Sequence, residues 1–209
     1  MSFKDEEVKD VLNRLINILT NSFAFYEIYA DGTSASTDSA NALDKWILAR
    51  LNALVVEMTE ALEAYDTVRA TRPIKDFVTD LSTWYIRRSR DRFKSDNAEE
   101  KKQALATARY VFKEFSKLIA PVMPFVAEEI YQKVKEEGES TSVHLTDWPE
   151  AEKSFFDVFK KKNDVLEKMD ETRKVVSLAL ELRNKSAIKV RQPLSKLEVK
   201  ANLSPEYLE

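Results

Sequence analysis

Residues 80–94 read DLSTWYIRRSRDRFK. Arg87, Arg88, Arg90 and Arg92 follow directly on the aromatic pair Trp84 and Tyr85. Guanidinium forks grip phosphates and base edges, and aromatic faces stack on unpaired bases. No other stretch of the chain mixes the two so densely. At about 100° per residue, Ile74, Phe77, Val78, Leu81, Trp84 and Tyr85 share one helix face, which reads as the buried one. Arg88 and Arg92 continue that face, while Arg87 and Arg90 turn away from it. Either the helix outruns its bundle there and projects cations, or Arg88 has a carboxylate partner. The plainer reading makes Trp84 core and the arginines a solvated helix end.

A second basic cluster closes the chain. RNKSAIKVRQPLSKLEVK (183–200) sets Arg183, Lys185, Lys189, Arg191, Lys196 and Lys200 against the single acid Glu198. Residues 196–200 alternate like a strand, which Pro193 confines to an edge or to its start. The formal net charge of −3 means that any nucleic acid must be met by local patches such as these two.

Other chemistries are poorly served. With no cysteine there is no disulfide, thiolate metal site or cysteine nucleophile. One histidine, His144, cannot build a multi-histidine metal site, and beside Val143 and Leu145 it reads as a packing or hydrogen-bonding residue. Two glycines in 209 residues leave no glycine-rich phosphate loop. Glu128 and Glu129 are adjacent, so a helix points them about 100° apart and they form no acid–base pair. No catalytic, cofactor or metal site is expected. There is no apolar run long enough to span a membrane and no signal-peptide pattern, so a soluble, cytosolic protein is expected.

The scarcity of glycine and the 33% of charged residues predict an all-α fold. A first helix is expected from Lys4 to about Ala30, with a seam of Val8, Leu12, Leu15, Ile16, Leu19, Phe23 and Tyr26. The aromatics Phe23, Phe25, Tyr26 and Tyr29 could form a base-stacking box, although their helical spacing favours core packing. A second helix spans about 41–64 with Ile47, Leu51, Leu54, Met58, Leu62 and Tyr65 inward. Asp66 caps a third, which Pro73 should kink and which carries the arginine run. Asp96 and Asn97 cap a fourth, striped by Leu105, Ala108, Val111, Phe112, Phe115, Leu118 and Ile119. Pro124 opens a fifth, PFVAEEIYQKV, that ends by Gly138. An extended link holding Trp148 and Pro149 docks on the bundle, and a long helix to about Asn184 leads into the basic tail. Residues 1–150 thus read as a helical bundle. Residues 151–209 read as a helix-plus-strand appendage, the truncated start of a following subdomain. It begins with Phe155, Phe156, Phe159 and Lys160–Lys162, and its last residues, ANLSPEYLE, make no natural ending.

Four runs in this order carry a resemblance: LDKWILARLN (43–52), DLSTWYIRRSRDRF (80–93), LIAPVMPFVAEEIYQ (118–132) and VHLTDWPE (143–150). Together they resemble the anticodon-binding region of class I (class Ia) aminoacyl-tRNA synthetases, most of all the isoleucine branch, and the tail at 183–199 looks like the segment that follows the bundle there. The resemblance covers nearly the whole chain. It implies an anticodon-binding helix bundle whose partners are tRNA, isoleucine tRNA above all, and the catalytic domain of the same polypeptide. It further implies that Tyr85, Arg87, Arg88, Arg90 and Arg92, with Arg183, Lys185, Lys189 and Arg191, meet the tRNA. Complete members use ATP to join the amino acid to tRNA, but the HIGH-type and KMSKS-type motifs and the editing domain are missing here. This chain is therefore expected to bind tRNA without catalysing aminoacylation and without a cofactor of its own. Two other readings stay open: a valine- or leucine-type relative, and a helical protein-interaction scaffold with no nucleic-acid role.

Overall fold

The computed structural model describes residues 4–151 and 154–200, with side chains described outside 152–164. The reading of Phe155, Phe156, Phe159 and Lys160–Lys162 and that of the closing ANLSPEYLE lie outside the described residues. No strand forms among the described residues, and two compact units emerge, Met1–Lys153 and Ser154–Glu209.

The first unit is built from helices. α1 (Asp5–Val11) runs through a π-helical turn, Leu12–Ile16, into α2 (Asn17–Tyr29). α3 (Ala42–Glu63) and α4 (Thr67–Asp80) form an antiparallel hairpin, and α4 continues into a second π-helical turn, Leu81–Ile86. α5 is a single turn, Arg90–Phe93. α6 (Ala98–Ile119) and α7 (Pro124–Val134) form a second hairpin.

Local chemistry sets most of the boundaries. Asn41 Oδ1 accepts the Leu43 N–H at 2.9 Å, Asp66 Oδ1 accepts that of Arg69 at 2.9 Å, and Asn97 Oδ1 accepts those of Glu99 and Glu100. Each supplies an acceptor to N–H groups that have no partner inside the helix. Pro124 starts α7, where its missing N–H is harmless. Pro73 lies inside α4, as expected, and the helix runs on through it although the Arg69 carbonyl loses its helical donor.

The core follows the stripes. Trp46, Phe77, Phe112, Phe115 and Tyr131 are fully buried, and the rings of Phe77 and Phe115 lie 4.8 Å apart. Trp148 docks as expected, donating its indole N–H to Thr59 Oγ1 at 2.8 Å, beside a buried Pro149. Three expectations fail. Val8 and Leu12 are exposed: neither α1 nor the π-helical turn after it has a buried residue, and burial along this helix begins at Leu19. Tyr65 is not in the α3 seam: it is 93% exposed with φ +57°, two residues past the helix end. The link at 142–150 contains a 3₁₀ turn, Val143–Leu145, on which Val143 is buried and His144 is exposed, so His144 does not pack.

The second unit contains α8 (Ser154–Lys185) and the segment after it. The strand expected at 196–200 is absent, because no ladder partner is present among the described residues. α8 ends with Ala187 at φ +53°, the Ile188 N–H bonded to the Arg183 carbonyl and the Ala187 N–H to that of Asn184. This is a Schellman closure, in which glycine is the usual residue at the left-handed position.

Candidate nucleic-acid interface

The π-helical turn decides which arginines face out. A π turn holds one residue more than an α turn, so it rotates everything after it by about 100° relative to an unbroken helix. Inward positions pass from Leu81 to Tyr85 and Ile86, and then to Ser89, Arg92 and Phe93. Trp84 is moved to a half-buried place, and Arg87, Arg88 and Arg90 to exposed ones.

Two of the expected contact residues are thereby corrected. Tyr85 has no exposed surface, so it cannot stack on a base. Its hydroxyl donates to the Ala104 carbonyl at 3.4 Å, and burial, reinforced by the nearby charge of Asp44, pushes its ionisation well above the ordinary tyrosine value. Arg92 is buried, and its guanidinium forks onto Asp44, Nη1 to Oδ1 at 2.8 Å and Nη2 to Oδ2 at 2.7 Å. Burial opposes the charge on Arg92, but the hydrogen bonds and field of Asp44 outweigh it and hold the group above its ordinary value. Arg92, expected on the same face as Arg88, is thus paired with a buried carboxylate. Removing either member of such a pair costs about 3–5 kcal/mol, since it strands a buried charge.

Asp44 is the residue that sequence reasoning missed. It is fully buried in the first turn of α3, where it also accepts the Ser39 hydroxyl at 2.6 Å. A signal was available. Asp44 precedes Ile47, Leu48 and Leu51 at helical spacing, and an acid on an apolar face calls for a buried cation. Nearby, Arg50 Nε donates to the buried Asp80 at 3.0 Å, so a second arginine at this end is neutralised internally.

The remaining arginines sit on aromatic surface. The Arg88 guanidinium lies 5.6 Å from the Trp84 ring centre and that of Arg90 lies 5.2 Å from the Phe25 ring. Phe25 and Tyr29 are half-buried, their rings 5.2 Å apart, and both meet the buried Phe93. The suspected base-stacking box therefore divides: Phe23 and Tyr26 are core, while Phe25 and Tyr29 reach the surface beside Arg90. A guanidinium placed over an aromatic ring is attracted by the ring's electron-rich face, which helps hold the cation at the surface.

In the second unit Arg183 is also corrected. Its Nη2 donates to the carbonyls of Lys189 at 2.7 Å, Val190 at 3.1 Å and Gln192, closing the turn that follows α8. Arg183 lines a cleft of about 410 Å³ with Leu182, Ile188, Leu194 and Leu197. Lys185, Lys189 and Arg191 are exposed, with Lys185 paired to Glu181 at 2.6 Å. Among the described residues no group of three or more histidines, acids or cysteines converges on a metal-sized site, and no helix is long and apolar enough to cross a membrane.

The first unit is thus a helical bundle that carries exposed arginines beside half-buried aromatics at its α5 end. Residues 44–199 match the family model described as the anticodon-binding domain of tRNA ligase, and the chain belongs to that family. It is 39% identical over 207 residues to the isoleucine–tRNA ligase of Chlamydia muridarum, covering 95% of this chain and 19% of that protein. It is 38% identical over 226 residues to the isoleucine–tRNA ligase of Treponema denticola, covering 99% of this chain and 20% of that protein. The isoleucine–tRNA ligase of Treponema pallidum is 39% identical over 219 residues, with 95% and 20% covered. The chain thus spans about one fifth of the length of the curated relatives it matches.

Proposed function

We propose that this domain holds the anticodon stem-loop of isoleucine tRNA and positions it for ATP-dependent aminoacylation, carried out in the cytoplasm by a catalytic domain of the same polypeptide. The observation that carries the reading is the exposed trio Arg87, Arg88 and Arg90, with Arg90 laid over the half-buried Phe25. An anticodon loop offers unstacked bases beside closely spaced phosphates, which this pairing of cation and ring suits. Lys185, Lys189 and Arg191 form a further cationic surface, fit for a phosphate run. The domain's own residues supply binding and orientation only; ATP is used by the complete enzyme.

Filter binding of transcribed isoleucine and valine tRNAs tests the reading. The expected result is saturable binding that weakens steeply with salt and prefers the isoleucine transcript. A preference for valine tRNA would move the domain to the valine branch. No binding to either transcript at low salt would make it a protein-interaction scaffold.

A further inference from the structure

Arg87 and Arg88 are the last helical residues of the helix that α4 and the π-helical turn form, and Arg90 opens the turn beyond it. Ser89 breaks that helix from α5, which is only four residues long. A single helical turn is far too short to be stable alone. Its orientation has to come from side chains that tie it to the bundle, and three do so. Phe93 is fully buried against the rings of Phe25 and Tyr29. Ser95 Oγ donates to Glu100 Oε2 at 2.8 Å. Arg92 makes its two-pronged bond to Asp44 in the first turn of α3, with Ser39 holding the same carboxylate.

The third tie is chemically different from the others. A buried ion pair is no better for stability than well-packed apolar residues of the same volume. What it adds is direction, because two parallel N–H···O bonds fix both the distance and the plane of the guanidinium. Arg92 shares α5 with Arg90, so fixing its plane fixes the rotation of the turn that bears Arg90 and anchors the helix end that bears Arg87 and Arg88 just before it. We propose that Asp44 and Arg92 are positioning residues for RNA binding: a buried clasp that sets where the exposed arginines point while touching no RNA itself. This inference rests on the proposed function.

The test uses the 209-residue chain and an isoleucine tRNA transcript, with affinity followed from low to high salt and folding followed by circular dichroism. The double variant Asp44→Leu/Arg92→Met removes the clasp without stranding a charge. It should fold with native helicity, bind about 10-fold more weakly, and show a shallower dependence of affinity on salt, although Arg87, Arg88 and Arg90 are all still present. A purely structural role would leave that slope unchanged. Should the double variant fail to fold, Arg92→Lys carries the test: it keeps the charge, loses the fork, and should bind about 3-fold more weakly. The variant Arg87→Ala/Arg90→Ala serves as the control. If it loses affinity while the folded clasp variant, or Arg92→Lys in its place, binds like wild type with the wild-type slope, the clasp proposal is overturned and the functional reading stands. If the control also binds like wild type, the functional reading fails and takes the clasp with it.

Discussion

Tyr65 is the place where the backbone conformation and the residue type disagree most. It follows α3 with φ +57°, and the closure around it is complete: the Asp66 N–H reaches the Ala61 carbonyl at 2.8 Å and the Tyr65 N–H that of Leu62 at 3.0 Å. This is the geometry in which glycine is favoured, because a Cβ there crowds the following carbonyl, at about 1–2 kcal/mol. Replacing Tyr65 with glycine removes that strain. The side chain is 93% exposed, so almost no buried surface is lost with it. Against the gain stands the greater freedom of glycine in the unfolded chain, about 0.5–1 kcal/mol. The balance is a stabilisation of about 0.5–1 kcal/mol, or roughly 1–4 °C in melting temperature for a chain of this size. Thermal unfolding followed by circular dichroism reads it directly. Tyr65→Ala is the matched control: it keeps a Cβ, keeps the strain, and should melt within about a degree of wild type. If Tyr65→Gly melts below wild type, or if glycine and alanine behave alike, steric strain at this turn is not what the side chain contributes and the argument is wrong.

Two further outcomes follow from the geometry. Replacing Arg87, Arg88 and Arg90 together by alanine should flatten the slope of log affinity for tRNA against log salt by about 2–3, on about 0.7–0.9 per phosphate contact, which over a fourfold rise in salt amounts to a ~20–60-fold change; an unchanged slope in titrations at graded salt would remove these residues from the RNA surface. Glu128 and Glu139 should make the turn after α7 sensitive to acid. Burial works to raise both, but the N–H groups of Val143 and Glu136 and the ammonium of Lys113 outweigh it and hold both below the ordinary 4.5. A carboxylate lowered on folding stabilises fully above its unfolded value and loses that contribution as pH falls through the folded one. The protection of the Val143 and Glu136 amides, taken as the exchange rate relative to the intrinsic rate at each pH, should therefore be steady above about pH 4.5 and fall below it, and Glu128→Gln should abolish the acid dependence at Val143 while leaving that at Glu136.

Much of this architecture was legible because it is decided locally. Asn41, Asp66, Asn97 and Pro124 announce helix starts through bonds to residues two or three positions away, or through a missing donor. The stripe from Leu105 to Ile119 is buried residue for residue. What failed to show is non-local or depends on a change of period. Nothing in LSTWYI distinguishes a π turn from an α turn, and that one extra residue moved Trp84 and Arg88 off the buried face on which Tyr85 and Arg92 remain. The partner of Arg92 lies 48 residues away. Arg183 looks like any cation at a helix end until the chain folds back to place three carbonyls against it.

The arginines of the first unit divide by task, and the division explains how a chain of net charge −3 can offer an RNA surface. Arg50 and Arg92 are matched to buried carboxylates, and Arg109 is spent on the carbonyls of Gly32, Thr33, Val134 and Lys135. Arg50 and Arg92 are cancelled by their carboxylates and Arg109 has its donors engaged by carbonyls, so the exposed guanidinium groups at the α5 end are those of Arg87, Arg88 and Arg90. A small number of contacts makes affinity modest and salt-sensitive, which leaves geometry to do more. On the proposed function the reaction happens elsewhere on the polypeptide, where a misplacement of 1 Å can cost about 100-fold in rate. An orientation error at the anticodon is amplified by its distance from that point. On that reading rigid placement of three arginines is worth more to the enzyme than additional arginines loosely held, and the fourth, Arg92, is buried against Asp44 two residues from Arg90.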